Sequence, residues 1–408
     1  MAERTDLILK NELSFNILLF SLLCETREPI FFTMTRTILA YLLLTGLIAC
    51  NGTTDKNKAP EHPTRIIFMI GDGMGLSAVS TSYYFGEQPS PFDMFKHIGL
   101  INTSSATHKI TDSAASGTAL ATGTRTYNGA IGVDTSRTAV RNITEVVSEM
   151  GWNTGVVATS SVTHATPASF YAHVEHRNME EKIATQLLDS NIDFFAGGGK
   201  RFFNQRSDSV DLFRTAEEKG FIIDTAGLDG AAPQPDRKYG YVLADAGMPT
   251  MLEGRGGFLP DATALAIESL SAGGKSFFLM VEGSQIDWAG HANDEAYLLA
   301  EMRDFEEAIR VALDFAEKDG NTLVVVTADH ETGGATLSAR PGESGGSNYD
   351  DIVITFSTGG HSATLIPLFA YGPGAEQFTG IYKHSEIFHK MVRSAGMDEP
   401  VPDAAAAD

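Results

Sequence analysis

An α/β fold is predicted, in the form of a three-layer α/β/α sandwich with a mainly parallel central sheet. From Arg65 onward, short apolar runs alternate with amphipathic stretches, for example over residues 296–318. This alternation is typical of a parallel sheet that is covered by helices on both faces. The runs that predict strands are residues 66–70, 155–159, 277–281, 323–327 and 367–371.

Acidic side chains follow three of the predicted strands. Asp72 comes after the first run, Glu282 after the third, and Asp329 with His330 after the fourth. Parallel strands present their carboxyl ends at one edge of a sheet, where ligands usually bind. We therefore expect three strands to deliver carboxylates to the same edge.

The globular region is predicted to be a single domain over residues 64–400. Residues 200–260 and 336–360 are rich in glycine, proline and charge, which indicates loop insertions. Residues 401–408 are expected to form a frayed tail.

Residues 34–50 resemble an export signal of the lipoprotein type. A polar segment with Arg36 precedes an apolar run over residues 38–49, which is too short to span a bilayer. The letters L-I-A-C, ending at Cys50, resemble a bacterial lipobox, so Cys50 would be lipidated and residues 51–63 would form a tether. Residues 1–33 do not fit a signal, and translation is expected to start at Met34; the alternative is a membrane-anchored long N-terminus. We expect an exported protein, periplasmic or on the cell surface, that contacts the membrane only through Cys50.

Composition narrows the class of protein. The chain has 408 residues, 43% of them hydrophobic, and 40 glycines, which is typical of a globular, loop-rich enzyme. Its formal charge of −22 argues against nonspecific nucleic-acid binding, which requires basic residues opposite the phosphates. Cys24 and Cys50 both precede the globular region, so a metal in that region must be bound by histidines and carboxylates.

The segment I-T-D-S-A-A-S-G-T-A-L-A-T-G, residues 110–123, sets Ser113 directly after Asp112 at the predicted start of a helix. A helix N-terminus offers unpaired N–H groups and the positive end of the helix dipole to an anion. The segment therefore suits a nucleophile for phosphate. An ordinary helix cap by Asp112 explains the same letters equally well.

Further candidate ligands lie in two later segments. V-E-G-S-Q-I-D-W-A-G-H contains Asp287 and His291 four residues apart, a spacing that projects both from one face of a helix. T-G-G-H places His361 on a glycine-rich loop. The D-x-x-x-H pair alone is explained better by chance, but together with His361 and the strand ends it supplies enough oxygen and nitrogen ligands for more than one cation.

The segments together, in this order, resemble the alkaline phosphatase family. The resemblance rests on T-D-S-A-A-S-G-T-A, V-E-G-S-Q-I-D and T-A-D-H-E-T-G-G, and it extends over about residues 65–394. It implies an alkaline-phosphatase-like sandwich that hydrolyses phosphate monoesters and holds two Zn²⁺ and one Mg²⁺ per chain. The ligands that it implies are Asp287, His291 and His361 for the first zinc, Asp72, Asp329 and His330 for the second, and Asp72, Thr166 and Glu282 for magnesium.

The resemblance also implies roles in substrate binding. Ser113 would attack phosphorus and form a phosphoseryl intermediate, and Arg177 would hold the phosphate, oriented by Asp112. His164 and Trp288 stand where the best-known enterobacterial type has aspartate and lysine. This pair is similar to the variant found in marine and cold-adapted bacteria, and without the lysine we expect weaker retention of phosphate.

Two other functions remain open at this point. One is a phosphodiesterase of the same superfamily, and the other is a phosphate- or metal-binding lipoprotein without catalysis. A sulfatase is disfavoured because Ser113 does not lie in a C/S-x-P-x-R context. The resemblance further implies a homodimer that takes part in phosphate scavenging.

Overall fold

A ten-stranded sheet forms the centre of the computed structural model, which describes residues 62–229, 232–342 and 345–397. In chain order the strands are β1 (Arg65–Gly71), β2 (His97–Asn102), β3 (Asn153–Ser161), β4 (Phe194–Gly198), β5 (Phe221–Asp224), β6 (Lys238–Val242), β7 (Phe277–Gly283), β8 (Thr322–Thr327), β9 (Glu331–Thr332), β10 (Thr336–Pro341), β11 (Ser347–Thr355), β12 (His361–Ser362), β13 (Ile366–Tyr371) and β14 (Gly380–Lys383). The order across the large sheet is β14-β2-β13-β8-β1-β7-β3-β4-β6-β5. Two small antiparallel pairs, β10 with β11 and β9 with β12, stand apart from it.

Strand directions explain where the polar residues gather. Within the described sheet, β13 runs antiparallel to both of its neighbours, and the other pairs are parallel. The amino end of β13 therefore lies at the edge where β1, β7 and β8 end. Thr327 at the end of β8 donates to the carbonyl oxygen of Pro367 near the start of β13, at 3.0 Å. Residues just before β13 thus reach the same edge as residues just after β8.

Helices and short turns cover the sheet. The helices are α1 (Leu76–Tyr84), α2 (Ser113–Thr122), α3 (Ile143–Ser148), α4 (Ala165–Ala168), α5 (Glu180–Asp189), α6 (Arg201–Asn204), α7 (Leu212–Glu218), α8 (Phe258–Ser271), α9 (Gln285–Ala292), α10 (Glu295–Asp319) and α11 (Glu386–Ser394). Short 3₁₀ turns occur at Pro91–Met94, Met251–Glu253, Ala272–Gly274 and Ala375–Phe378. Among the helices of the described residues, we find none with the length and apolar character needed to cross a membrane.

The longest helix, α10, shows how local sequence sets these elements. The Asp294 side chain caps its first turn by accepting from the Tyr297 N–H, and Gly320 ends it in the left-handed conformation at φ 67°. Leu298, Met302 and Phe305 recur at helical spacing and are buried. The helix therefore packs one apolar face on the core and leaves the other face to solvent.

The five predicted strands are confirmed as β1, β3, β7, β8 and β13, and the α/β fold class is confirmed with them. These strands are easily recognised because β1, β7 and β8 are buried along almost their whole length, so their sequences are continuous apolar runs. The outermost strands, β14 and β5, are partly exposed and carry no such run.

Loop insertions were expected near residues 200–260 and 336–360, and that expectation needs correction. The first segment contains α6 and α7 and supplies β5 and β6 to one edge of the main sheet. The second contains the β10–β11 hairpin. The edge strand β5 and the exposed β10–β11 hairpin bury little apolar surface, so polar, glycine-rich sequence is compatible with them. The predictions for residues 1–61 and 401–408, which include the signal, the lipobox and the tail, fall outside the described residues.

A buried ion cluster ties α10 to the segment that precedes α8. Arg255 contacts the carboxylates of Glu301 and Asp304, the latter at 2.7 Å, and all three side chains are at most 2% exposed. The backbone N–H of Met251 also donates to Glu301, at 2.8 Å. Burial raises the pKa of Asp304 to about 6 even though Arg255 opposes the shift.

Arg255→Ala is expected to lower the free energy of unfolding by about 3–5 kcal/mol, because it leaves two buried carboxylates without a cation. Arg214→Ala is the matched control, since Arg214 pairs with Glu218 on the surface and both side chains are more than 60% exposed. The control should lose less than about 1 kcal/mol. Urea unfolding of the metal-loaded variants measures both losses, and similar losses would contradict the expectation.

Candidate active site

Ser113 lies at the first position of a fully buried helix. Asp112 is the N-cap of α2, and its Oδ1 accepts from the Ala115 N–H at 3.0 Å. All ten residues of α2 are buried, which its small side chains permit. At Gly117, for example, an added Cβ would lie only 2.8 Å from Ser169 Oγ. The cap by Asp112 and a serine at the helix N-terminus are both present, so the two interpretations of this segment coexist.

Asp112 also holds Arg177, the residue to which the resemblance assigns phosphate binding. Its Oδ2 accepts from Arg177 Nη1 at 3.2 Å, and its two oxygens accept from the Gly129 N–H at 3.1 and 3.0 Å. Arg177 in turn donates its backbone N–H to the Gly129 carbonyl at 2.8 Å. On the other side, Arg177 Nη2 lies 3.1 Å from His164 Nε2. The guanidinium is thereby fixed between a carboxylate and an imidazole.

Three buried carboxylates meet at the carboxyl edge of adjacent strands. Asp72 directly follows β1, Glu282 is the penultimate residue of β7, and Asp329 follows β8 by two positions. All three are 0% exposed. Gly73, at φ 73°, turns the chain here so that its N–H donates to Asp329 Oδ1 at 3.1 Å. The topology therefore produces the carboxylate edge that the strand pattern predicts.

His330 joins this cluster to Ser113. Its Nε2 lies 3.1 Å from Asp329 Oδ2, 3.6 Å from Asp72 Oδ1 and 3.3 Å from Ser113 Oγ. These contacts bring together the three residues predicted for the second zinc and place the proposed nucleophile beside them. Ligand atoms of Asp72, Asp329 and His330 all lie within 4.8 Å of one another.

The residues predicted for the first zinc also converge. His361 Nε2 lies 3.2 Å from His291 Nε2 and 3.6 Å from Asp287 Oδ1, and His291 Nε2 lies 3.4 Å from Asp287 Oδ2. The rings of His330 and His361 stack with centroids 3.6 Å apart, so the two groups of ligands adjoin. His291 is the most open of these ligands, with its side chain 42% exposed.

Backbone carbonyls orient two of these imidazoles. His361 Nδ1 lies 2.9 Å from the Thr111 carbonyl oxygen, and His291 Nδ1 lies 2.8 Å from the Gly359 carbonyl oxygen. A carbonyl only accepts, so each Nδ1 carries the proton and each Nε2 presents its lone pair to the cluster. Such second contacts commonly fix the tautomer of metal-binding histidines. Two lone pairs that face each other at 3.2 Å repel, and a cation between them removes that repulsion.

A third group of ligands surrounds the other side of Asp72. Ligand atoms of Asp72, His164 and Glu282 lie within 4.8 Å of one another. Thr166, in α4, lies close enough to lower the pKa of Glu282, although its hydroxyl is outside hydrogen-bond geometry. Asp72 thus stands between the second and third groups, as the predicted bridging role requires. His164 was predicted as a substrate contact, and its position also borders this group.

The polar atoms of this centre lack partners within the described protein. Both oxygens of Asp72, Oδ2 of Asp329, Oε1 of Glu282 and Oγ1 of Thr166 are buried and accept or donate no hydrogen bond there. Buried polar atoms are nearly always paired, and unpaired carboxylates are especially costly. A donor set of carboxylates, imidazoles and one hydroxyl fits Zn²⁺ and Mg²⁺.

The pKa shifts of the buried carboxylates and of His330 also indicate that this centre needs cations. Burial raises the pKa of Asp72 well above its ordinary value, and the charges of Asp329, Asp287 and Glu282 add to the shift. Burial raises the pKa of Glu282 to about 7 and lowers the pKa of His330 to about 3. The histidine is therefore neutral and offsets none of the carboxylate charge. Cations are needed to keep the carboxylates ionised.

Two positioning side chains received no role from the sequence. Thr332 Oγ1 donates to Asp287 Oδ1 at 2.5 Å and lies 3.2 Å from His330 Nδ1, so it touches ligands of both zinc groups. Gln285 is fully buried and accepts from the Tyr297 hydroxyl at 2.7 Å. Thr332 lies inside T-A-D-H-E-T-G-G, two residues after His330, and that proximity was the available signal. Gln285 likewise lies inside V-E-G-S-Q-I-D, two residues before Asp287.

The family model and two similar relatives name one family. Residues 64–351 match the alkaline phosphatase family. Alkaline phosphatase 4 of Bacillus subtilis is 40% identical over 292 residues, which span 67% of this chain and 63% of that relative. Alkaline phosphatase 3 of the same organism is 32% identical over 435 residues, which span 86% of this chain and 93% of the relative.

A solved structure extends the similarity to the fold. Alkaline phosphatase from the Antarctic bacterium TAB5 is 53% identical, with a TM-score of 0.82 over 83% of this chain and 99% of that one. A variant of that enzyme, in which a histidine is replaced by aspartate, is described with magnesium bound in its M3 site.

Glu282→Gln provides a test of the electrostatic argument in the metal-free protein. The pKa of Glu282 rises on folding from 4.5 to about 7, so ionising this group opposes folding as pH rises through that interval. We therefore expect the melting temperature of the variant minus that of the unmodified protein to increase between about pH 5 and pH 8. With zinc and magnesium bound, the unmodified protein should have the higher melting temperature, because it binds cations better than the variant.

Glu268→Gln is the control, since Glu268 lies exposed on α8. Calorimetry of both variants at several pH values gives the comparison. A Glu282→Gln difference that stays constant with pH in the metal-free protein would contradict the argument.

Proposed function

Because the chain belongs to the alkaline phosphatase family and is a phosphomonoester hydrolase, we propose that it acts through a phosphoseryl intermediate on Ser113. One observation carries this proposal. Ser113 Oγ lies at the start of α2, 3.3 Å from His330 Nε2, at the border of the buried ligand groups. A hydroxyl in that place can reach a phosphorus atom held over the carboxylate edge.

We propose two zinc ions and one magnesium ion per chain. The first zinc would be held by Asp287, His291 and His361, the second by Asp72, Asp329 and His330, and the magnesium by Asp72, Thr166 and Glu282. When bound, the cations lower the pKa of hydroxyl groups and stabilise negative charge on the attacking and leaving oxygens. The unpaired buried oxygens support this assignment, as does the magnesium described in the variant of the Antarctic enzyme.

Arg177 positions the phosphate. Nη1 of Arg177 donates one N–H to Asp112, and Nη2 donates one N–H to His164. Each of these nitrogens has a second N–H that can bind phosphate. Two parallel donors match two non-bridging phosphate oxygens, which a monoester provides more freely than a diester. The amino end of α2 adds the positive end of its dipole beside the same anion.

The reaction then consists of two in-line displacements. Ser113 Oγ loses its proton and attacks phosphorus; the Oγ–P bond forms, and the P–O bond to the alcohol breaks with its electron pair on the leaving oxygen, which takes up a proton. Water next attacks the phosphoserine, the Oγ–P bond breaks, and Ser113 regains a proton as inorganic phosphate leaves. Two inversions give net retention at phosphorus.

We further propose that the enzyme is exported, lipid-anchored through Cys50 and homodimeric, and that it serves phosphate scavenging. The lipobox-like L-I-A-C supports the anchor. Mass spectrometry of the native mature protein tests it, with a lipidated Cys50 expected at the N-terminus. A mature N-terminus upstream of Cys50 would exclude the anchor.

Ser113→Ala is expected to lower kcat for p-nitrophenyl phosphate by at least about a thousandfold, because the nucleophile is removed. Zinc and magnesium contents should remain those of the unmodified protein. Radiolabelled phosphate should be trapped on Ser113 at acidic pH in the unmodified protein and in the control Ser136→Ala, whose serine is exposed in a loop. Near-full activity of Ser113→Ala with its metals intact would refute the mechanism.

Trp288→Lys is expected to lower the inhibition constant of inorganic phosphate by about tenfold, because an ammonium beside the site adds a charge-assisted hydrogen bond. Turnover should slow as phosphate release becomes harder. Trp288→Met controls for loss of the ring without added charge. An unchanged inhibition constant in Trp288→Lys would contradict the proposed influence of this position on product retention.

A further inference from the structure

We infer that Gly247 is a positioning residue for Arg177, and that it acts through Trp288 and His164. The inference rests on the proposed role of Arg177 in binding phosphate. It concerns a residue in the segment between β6 and α8, which supplies none of the proposed ligands.

Gly247 lies directly against the ring of Trp288. A Cβ built on Gly247 would stand 2.6 Å from Cη2 and 3.1 Å from Cζ3 of that ring, and its next neighbour would be Ser160 Cα at an ordinary 3.7 Å. The backbone of Gly247 is outside the left-handed region, so its conformation is available to alanine. A side chain at position 247 is therefore opposed by the Trp288 ring and not by backbone strain.

The backbone around Gly247 is fixed on both sides. Before it, Ala246 packs on Gly198 so closely that a Cβ on Gly198 would lie 1.9 Å from the Ala246 carbonyl oxygen. After it, the Met248 N–H donates to the Thr159 carbonyl at 3.0 Å, and the Met248 carbonyl accepts from Gln285 Nε2 at 2.7 Å. The segment cannot retreat without breaking these contacts, so an added methyl group would displace the Trp288 ring.

Trp288 in turn stands edge-on to His164. Their ring centroids are 6.2 Å apart and the planes cross at 83°. This is the edge-to-face arrangement that aromatic rings prefer. A displaced Trp288 ring either pushes on the imidazole or leaves it unsupported on that side.

His164 is the second support of Arg177. Because a guanidinium only donates, His164 Nε2 must accept from Arg177 Nη2 at 3.1 Å, and the imidazole proton resides on Nδ1. Asp112 holds the other terminal nitrogen. Movement of His164 therefore rotates the guanidinium fork about its contact with Asp112 and misaligns the two N–H groups that face phosphate. Glycine at position 247 leaves room for the ring that keeps this fork aligned.

Gly247→Ala tests the inference. The inhibition constant of inorganic phosphate and KM for p-nitrophenyl phosphate are expected to rise together by about 3- to 10-fold, as expected when a hydrogen bond to a charged group is weakened. kcat should change less than KM. In a Trp152→Phe background, where Trp288 is the remaining tryptophan, its fluorescence should shift. Metal contents are measured in parallel, so that any effect on cations beside His164 is separated.

A double variant provides the decisive comparison. Trp288→Phe removes the part of the ring that meets position 247, so adding Gly247→Ala to it should leave the phosphate inhibition constant unchanged. The control is Gly227→Ala, where an added Cβ meets nothing nearer than 3.9 Å. It should match the unmodified protein in every measurement.

Equal effects of Gly247→Ala in the presence of Trp288 and in the Trp288→Phe background would overturn the inference, as would an unchanged inhibition constant in the single variant. Failure of the proposed function is recognised separately. In that case the unmodified protein itself neither hydrolyses p-nitrophenyl phosphate nor binds phosphate with zinc and magnesium supplied.

Discussion

The buried carboxylates at the sheet edge are the constraint on which the rest of the site depends. Asp72, Glu282 and Asp329 end three adjacent strands, are fully buried, and lack protein partners for several oxygens. Burial of such groups opposes their ionisation and costs folding free energy. The fold tolerates this arrangement because cations can neutralise it. The proposed metals therefore contribute to the stability of the folded protein as well as to the chemistry.

Topology decides how the remaining ligands reach this edge. An all-parallel sheet would place the residues before β13 at the opposite edge, far from the carboxylates. The antiparallel direction of β13 brings His361 back beside His330, while the small residues of α2 allow Ser113 to approach from a buried helix. The antiparallel strand β13 and the small-residue helix α2 thus complete a site whose carboxylates come from the ends of parallel strands.

Much of this arrangement was predictable because its signals are local. Central strands are continuous apolar runs, and the ligands follow them directly, so Asp72, Asp329 and His330 could be placed on one edge before any coordinates. Strand β5 escaped prediction because it is a short, partly exposed edge strand, and β6 escaped because its buried sequence K-Y-G-Y-V is not a continuous apolar run. Thr332 and Gly247 escaped for another reason: their importance arises from contacts with residues distant in the sequence, such as Asp287 and Trp288. For Thr332 the local signal was its position two residues after His330, whereas the sequence around Gly247 gives no such signal.

Phosphate binding has to be reconciled with a strongly acidic protein of formal charge −22. An ammonium beside the site would strengthen the attraction but would also hold the product, because inorganic phosphate carries the same charged oxygens as the substrate. Trp288 supplies no charge, so in the proposed mechanism the orientation of Arg177 has a larger share in deciding how firmly phosphate is held. A guanidinium supported by Asp112 on one side and by His164 on the other can be adjusted through uncharged neighbours. In such a site, packing at Trp288 and Gly247 changes affinity for phosphate without changing the net charge that the cations must balance.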